Sequence, residues 1–231
     1  MWPFLWIAGL LSESVEVVQQ ALVDERALSA AERAHARLGL GMLAFGQGDY
    51  ERAAPALETA IELCAPLGDV RHKATALVPL GVIQAVWDPN GGEDLLVQAT
   101  DAFRELDDQW GLAFASLNLG GALLLHHRYA DAIPHLEESL QHAREVKADV
   151  LLSNALINLG WVHYWLGDLE AARARSAKRS STLRCQTTVK VWAGPLRRQP
   201  PLLSQQASRN SPRPYSARLT VSAARSERGS G

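Results

Sequence analysis

A Leu-Gly pair recurs at Leu40-Gly41, Leu80-Gly81, Leu119-Gly120 and Leu159-Gly160. The step is nearly constant at roughly 40 residues, within the range of helical repeat architectures. A period of this length constrains the fold more than any other feature. A unit of that size cannot bury its apolar face alone and must stack against copies of itself. A second signature keeps register with the first. Gly48-Asp49-Tyr50-Glu51-Arg52-Ala53 is echoed by His127-Arg128-Tyr129-Ala130-Asp131-Ala132 and by Gly167-Asp168-Leu169-Glu170-Ala171-Ala172. In these three copies the alanine (Ala53, Ala132, Ala172) follows the glycine of the pair at one and the same offset. The second copy, around Asp88-Pro89-Asn90-Gly91-Gly92, departs from the pattern but keeps turn-forming residues.

Each unit reads as two amphipathic helices. Helix A is predicted over roughly 33–46, 71–86, 110–125 and 150–165, and helix B over roughly 50–64, 93–105, 129–146 and from 168 onward. Asp49 and Asp168 stand where an N-cap is needed, because a short side-chain oxygen satisfies an unpaired N–H of the first turn. Leu136, Leu140 and Ala143 show the spacing of a buried stripe. Glycine inside a helix costs about 1 kcal/mol relative to alanine. Its use at one helical position four times predicts that helix B approaches helix A too closely there for a side chain. Pro55 and Pro134 share one place, five positions past the tyrosine, so a bend in helix B belongs to the unit. Pro79 has no counterpart and predicts a local kink.

These residues resemble the tetratricopeptide repeat (TPR). That family has Leu-Gly on helix A, Gly-x-Tyr at the turn and Ala on helix B, then an aromatic residue or leucine one helical turn on. Leu57 and Leu136 fill this last place, with Ala60 and Ser139 at the small position that follows. The resemblance spans about residues 8–175. The period is longer than the family's usual one, which is about 34 residues. This longer form is similar to the repeat arrays of large bacterial ATP-dependent transcription regulators of the LuxR type. The opening MWPFLWIAGLL with SESVEVVQQAL looks like the start of such an array, and Leu67-Gly68-Asp69 and Leu106-Asp107-Asp108-Gln109-Trp110-Gly111 look like its links. The resemblance implies an all-α, right-handed superhelix of about four TPR-like helix pairs. It also implies a non-enzymatic protein–protein interaction module, the sensor or scaffold region, or a fragment, of a signalling or transcription regulator. Neither a GxxxxGK(S/T) phosphate loop nor a helix-turn-helix is present, so the ATPase and DNA-reading activities of those regulators are not implied.

The net charge of −2 hides a split. Residues 1–175 carry 24 acids and 12 bases (net −12), whereas residues 176–231 carry one acid, Glu227, and 11 bases (net +10). The stretch 176–231 is dominated by Ser, Arg and Pro, a composition that cannot bury enough apolar surface to fold alone. The chain therefore divides into a helical repeat domain, 1–175, and a disordered basic tail, 176–231. A natural tail, a frameshift or truncation product, and an extra folded module are all open. The change falls in mid-helix, which favours the second, since domain boundaries fall between structural units. A shortened fourth helix B would leave Trp161, Trp165 and Leu166 partly exposed and the chain prone to self-association. Arg197-Arg198, Arg209, Arg213 and Arg218, with Trp192 and Tyr215 between them, give an alternative function: salt-sensitive nucleic-acid binding through the tail.

The family resemblance also names a surface. Helix A lines the concave face of such arrays, and positions −6, −2, +1 and +5 from the paired glycine form one stripe. In the fourth repeat that stripe is Asn154, Asn158, Trp161 and Trp165; in the third it is Phe114, Asn118, Gly121 and Leu125. Asn118 and Asn158 share a register at which peptide-binding relatives hold the backbone or carboxylate of an extended ligand. Asparagine suits this because it offers donors and an acceptor. The basic clamp of the carboxylate-gripping relatives is not found. Partner-binding residues are therefore expected at Phe114, Asn118, Asn154, Asn158, Trp161 and Trp165. The competing reading is that the asparagines satisfy helix ends and the tryptophans are core. His126, His127, His135, His142 and His163 lack the spacing of a metal site and read as surface or turn residues. No catalytic motif and no cofactor is implied. The apolar opening is too short to span a bilayer. Cys64 and Cys185 are isolated, which fits a reducing, cytoplasmic setting.

Overall fold

The computed structural model describes residues 27–182, together with Val18 and Gln20, both helical. The expected opening helix over MWPFLWIAGLL, Cys185 and the tail beyond Thr182 lie outside the described residues. Between residues 30 and 182 the chain forms eight helices: α1 (Ala30–Gln47), α2 (Tyr50–Leu67), α3 (Val70–Ala85), α4 (Pro89–Glu105), α5 (Gln109–Leu125), α6 (Tyr129–Glu145), α7 (Asp149–Trp165) and α8 (Leu169–Thr182). No strand occurs among the described residues. The helices alternate as A and B. Each packs on its neighbours in the chain, and each A helix also meets the next one, α1 with α3, α3 with α5 and α5 with α7. This is a solenoid of helix pairs.

Local chemistry sets the boundaries. Ser29 opens α1 with a capping box: its hydroxyl accepts from the Glu32 N–H, and the Glu32 carboxylate accepts from the Ser29 N–H at 2.8 Å. Asp49, Asp69, Asp88, Asp108 and Asp168 each accept from an N–H in the first turn that follows, as N-caps of α2, α3, α4, α5 and α8. Helix α4 begins at Pro89, ahead of the start near 93 that its periodicity predicts. Asp88 caps it, Pro89 occupies the first turn, and Asn90-Gly91-Gly92 is helix rather than link. Gly92 permits this, because a Cβ there would lie 2.4 Å from the Ala85 backbone nitrogen at the end of α3. Helices α2, α3 and α6 run through Pro55, Pro79 and Pro134. Helix α8 runs through the change of composition at Arg175 and continues to Thr182.

The recurrent glycines sit where the helices of a pair touch. A Cβ at Gly41 would lie 2.6 Å from Leu57 Cγ, one at Gly81 2.8 Å from Leu96 Cγ, and one at Gly120 2.5 Å from Leu136 Cγ. All three leucines are fully buried. The missing side chain is thus what lets helix B lie against helix A. Adjacent repeats are joined by apolar packing, with Phe103, Leu119 and Leu159 among the fully buried side chains, and by longer-range polar pairs. His35 and Arg71 on successive A helices reach the N-cap aspartates of the next ones, Asp69 and Asp108. Arg104 on α4 and the buried Ser116 on α5 both donate to Glu138 on α6, each at 2.8 Å.

Candidate interaction surface

The stripe expected on helix A is partly assembled and partly not. Phe114 is buried, its ring stacked on Trp110 at 5.3 Å, so it belongs to the core rather than to an open surface. Asn118 is half-buried and donates to the Phe114 carbonyl at 2.7 Å, one turn back on its own helix. Half its donor capacity is therefore already used. Gly121 lies beside Asn158 of the next repeat, whose amide nitrogen would be 3.7 Å from a Cβ at Gly121. The stripes of the third and fourth repeats therefore adjoin. Asn154 and Asn158 are both half-buried on α7.

The end of α7 carries the exposed aromatic surface. Trp161 is 50% exposed and Trp165 58%. Trp165 stacks on Tyr129 of the neighbouring pair, with ring centroids 6.2 Å apart, and meets Tyr164 edge to face. Tyr164 in turn meets Trp161 edge to face. His127 holds the Tyr129 hydroxyl at 2.6 Å. The tryptophans expected to be either ligand-facing or core are thus not core. Tyr164, between them, departs from its register. The position one turn past the paired glycine is Phe45 (3% exposed), Ala85 (1%) and Leu124 (5%) in the first three repeats, each of which is followed by a further A helix. In the fourth it is Tyr164, 49% exposed, and no further A helix follows among the described residues.

The histidines do varied work. His126 bonds the Ala85 carbonyl and His142 the Gln109 side chain, both tying helices together. His163 has a buried ring nitrogen without a hydrogen-bond partner. The one place where three metal-ligating side chains converge among the described residues was not legible from spacing: His35 on α1, and Asp69 and His72 at the start of α3. His35 and His72 stand nearly a whole repeat apart in sequence, and only the stacking of two repeats brings them together. The Asp69-x-x-His72 half, an N-cap with a ligand-type residue in the first turn, was the only local signal.

A family model for the tetratricopeptide repeat matches residues 111–179. The described array is a tetratricopeptide-repeat fold. Solved structures agree on the fold. BtubC from P. vanneervenii is 20% identical with a TM-score of 0.63, covering 84% of this chain and 82% of its own. A Rap protein complexed with competence and sporulation factor is 20% identical with a TM-score of 0.61 over 80% of this chain, which spans only 48% of that protein. A kinesin-light-chain protein of Podospora anserina with nearly identical TPR-like repeats is 15% identical with a TM-score of 0.57, covering 80% and 92% of the two chains. No curated protein matches the sequence. TPR repeats form scaffolds for protein–protein contact. No helix among the described residues is long and apolar enough to cross a membrane.

Proposed function

We propose that the A-helix face of α5 and α7 binds a protein or peptide partner, and that the array serves as the sensor or scaffold region of a bacterial signalling or transcription regulator. The observation that carries the binding reading is the exposed run Trp161, Tyr164 and Trp165 on the same helix, α7, as the half-buried Asn154 and Asn158. Aromatic side chains supply most of the binding energy at protein interfaces, and amides fix an extended backbone. The Rap protein, complexed with a factor on a fold of this kind, gives a precedent for ligand capture. The LuxR-type links and the long period support the regulator context. Asn158 and Trp161 are the central residues of the groove, with Asn154 and Trp165 flanking them. Phe114 supports the face from beneath.

Selection of binders from a random peptide display library, followed by titration of the best binder, tests the groove. Asn158→Ala with Trp161→Ala should weaken the selected peptide by about 2 kcal/mol or more, roughly 30-fold. Unchanged affinity in that double variant would remove the groove assignment.

A further inference from the structure

We propose that His35, Asp69 and His72 form a binding site for a late first-row divalent metal ion such as Zn²⁺, which would clamp the first A helix to the second. The three donor atoms come from two elements that are far apart in sequence. His35 Nε2 lies 3.3 Å from Asp69 Oδ2, and His72 Nδ1 lies 2.8 Å from the same oxygen. All three ligand atoms lie within 4.8 Å of one another. Ligands about 2.0–2.2 Å from a tetrahedral zinc stand roughly 3.3 Å apart, so small ring rotations bring the set to coordinating distance.

The aspartate is prepared for this role. Its Oδ1 caps α3 by accepting from the His72 N–H at 3.2 Å and also lies 2.9 Å from His72 Nδ1, while Oδ2 is the oxygen within reach of both imidazoles. The two rings lie 4.1 Å apart, centroid to centroid, so each restricts the other's rotation. His35 is half-exposed and gives solvent access to the site. Two imidazoles and one carboxylate suit zinc, cobalt, nickel or copper, whereas calcium and magnesium require more oxygen ligands. Three protein ligands with an open position leave room for water, or for a donor from a partner.

In a solenoid, stability is a sum of repeat terms and neighbour-interface terms. A metal bridging α1 and α3 adds to one such interface and nowhere else. The site is independent of the groove on α5 and α7, so the two proposals fail separately.

The test uses the full chain freed of metal with a chelator. Zn²⁺ is titrated calorimetrically, and Co²⁺ is followed by its visible absorption, which reports tetrahedral nitrogen and oxygen ligands. One saturable equivalent is expected, with a rise in melting temperature. His35→Gln and His72→Ala should abolish both. Asp69→Asn keeps an N-capping oxygen, so the helix is retained, but it removes the ligand charge. Its affinity should fall at least about tenfold, the least that even changes behind the ligands themselves cost. His127→Ala, away from the site, should bind as the parent does. Circular dichroism checks that each variant keeps its helices. Absence of saturable binding, or binding of parental affinity in His35→Gln or Asp69→Asn, would overturn the proposal.

Discussion

Replacing Gly120 and its neighbour Gly121 by alanine, one at a time, should have unequal effects on stability. The two residues are adjacent in α5 and share the same intrinsic gain, about 1 kcal/mol in favour of alanine. Their surroundings differ. At Gly121 a Cβ meets only the Asn158 amide nitrogen at 3.7 Å, an ordinary contact. At Gly120 it would fall 2.5 Å from Leu136 Cγ and 2.6 Å from Leu136 Cδ2. Carbon atoms prefer about 3.5–4.0 Å, so Leu136 or the whole of α6 must give by roughly 1 Å. Leu136 is fully buried among its neighbours. Overpacking of this kind costs about 1–3 kcal/mol. Because the propensity gain is common to both variants, the difference between them isolates the overlap. Gly121→Ala should melt above the parent, and Gly120→Ala should be less stable than Gly121→Ala by about 1–3 kcal/mol. At roughly 2–4 °C per kcal/mol for a chain of this size, the gap is several degrees. Thermal and urea unfolding followed by circular dichroism measure it. In a Leu136→Ala background the penalty at residue 120 should vanish. Equal stability of the two single variants would refute close approach as the reason for the recurrent glycine.

Two further expectations follow from the geometry. Glu138 is pushed up by burial, but the bonds from Ser116 and Arg104 outweigh this and hold its carboxyl below the usual range. A depressed carboxyl stabilises the fold above its unfolded value, near about 4.3, and that contribution is lost as pH falls through the folded value. Glu138→Gln should therefore be less stable than the parent at about pH 6, and the two should converge as the pH drops below about 4; a gap in urea midpoint that stays constant with pH would contradict this. Separately, Tyr164→Ser with Trp165→Ser should reduce self-association at high concentration, because these large rings are about half-exposed at the end of α7. Sedimentation profiles unchanged by the double substitution would show that this face takes no part.

Much of the array could be read from the sequence, and the reasons are specific. The paired glycines announce the helix contacts because a costly residue is kept where it is needed, and the leucines opposite Gly41 and Gly120 were identifiable by register. Asp49 and Asp168 cap as expected, since capping is decided within a single turn. The start of α4 was misplaced because Asn90-Gly91-Gly92 has the composition of a turn. What overrides that composition is the approach of Gly92 to Ala85, a contact between elements. The stripe fared unevenly for the same reason. Trp161 and Trp165 are open, whereas Phe114 is covered by neighbours that periodicity along one helix does not reveal.

The sequence alone determined the period, the helix pairs, the caps at Asp49 and Asp168 and the positions that must be small, because each depends on backbone geometry repeated within one unit of the array. Tertiary structure alone decided which stripe residues meet solvent and that His35 meets Asp69 and His72. These depend on how one repeat lies against the next, and stacking joins side chains that no local spacing connects.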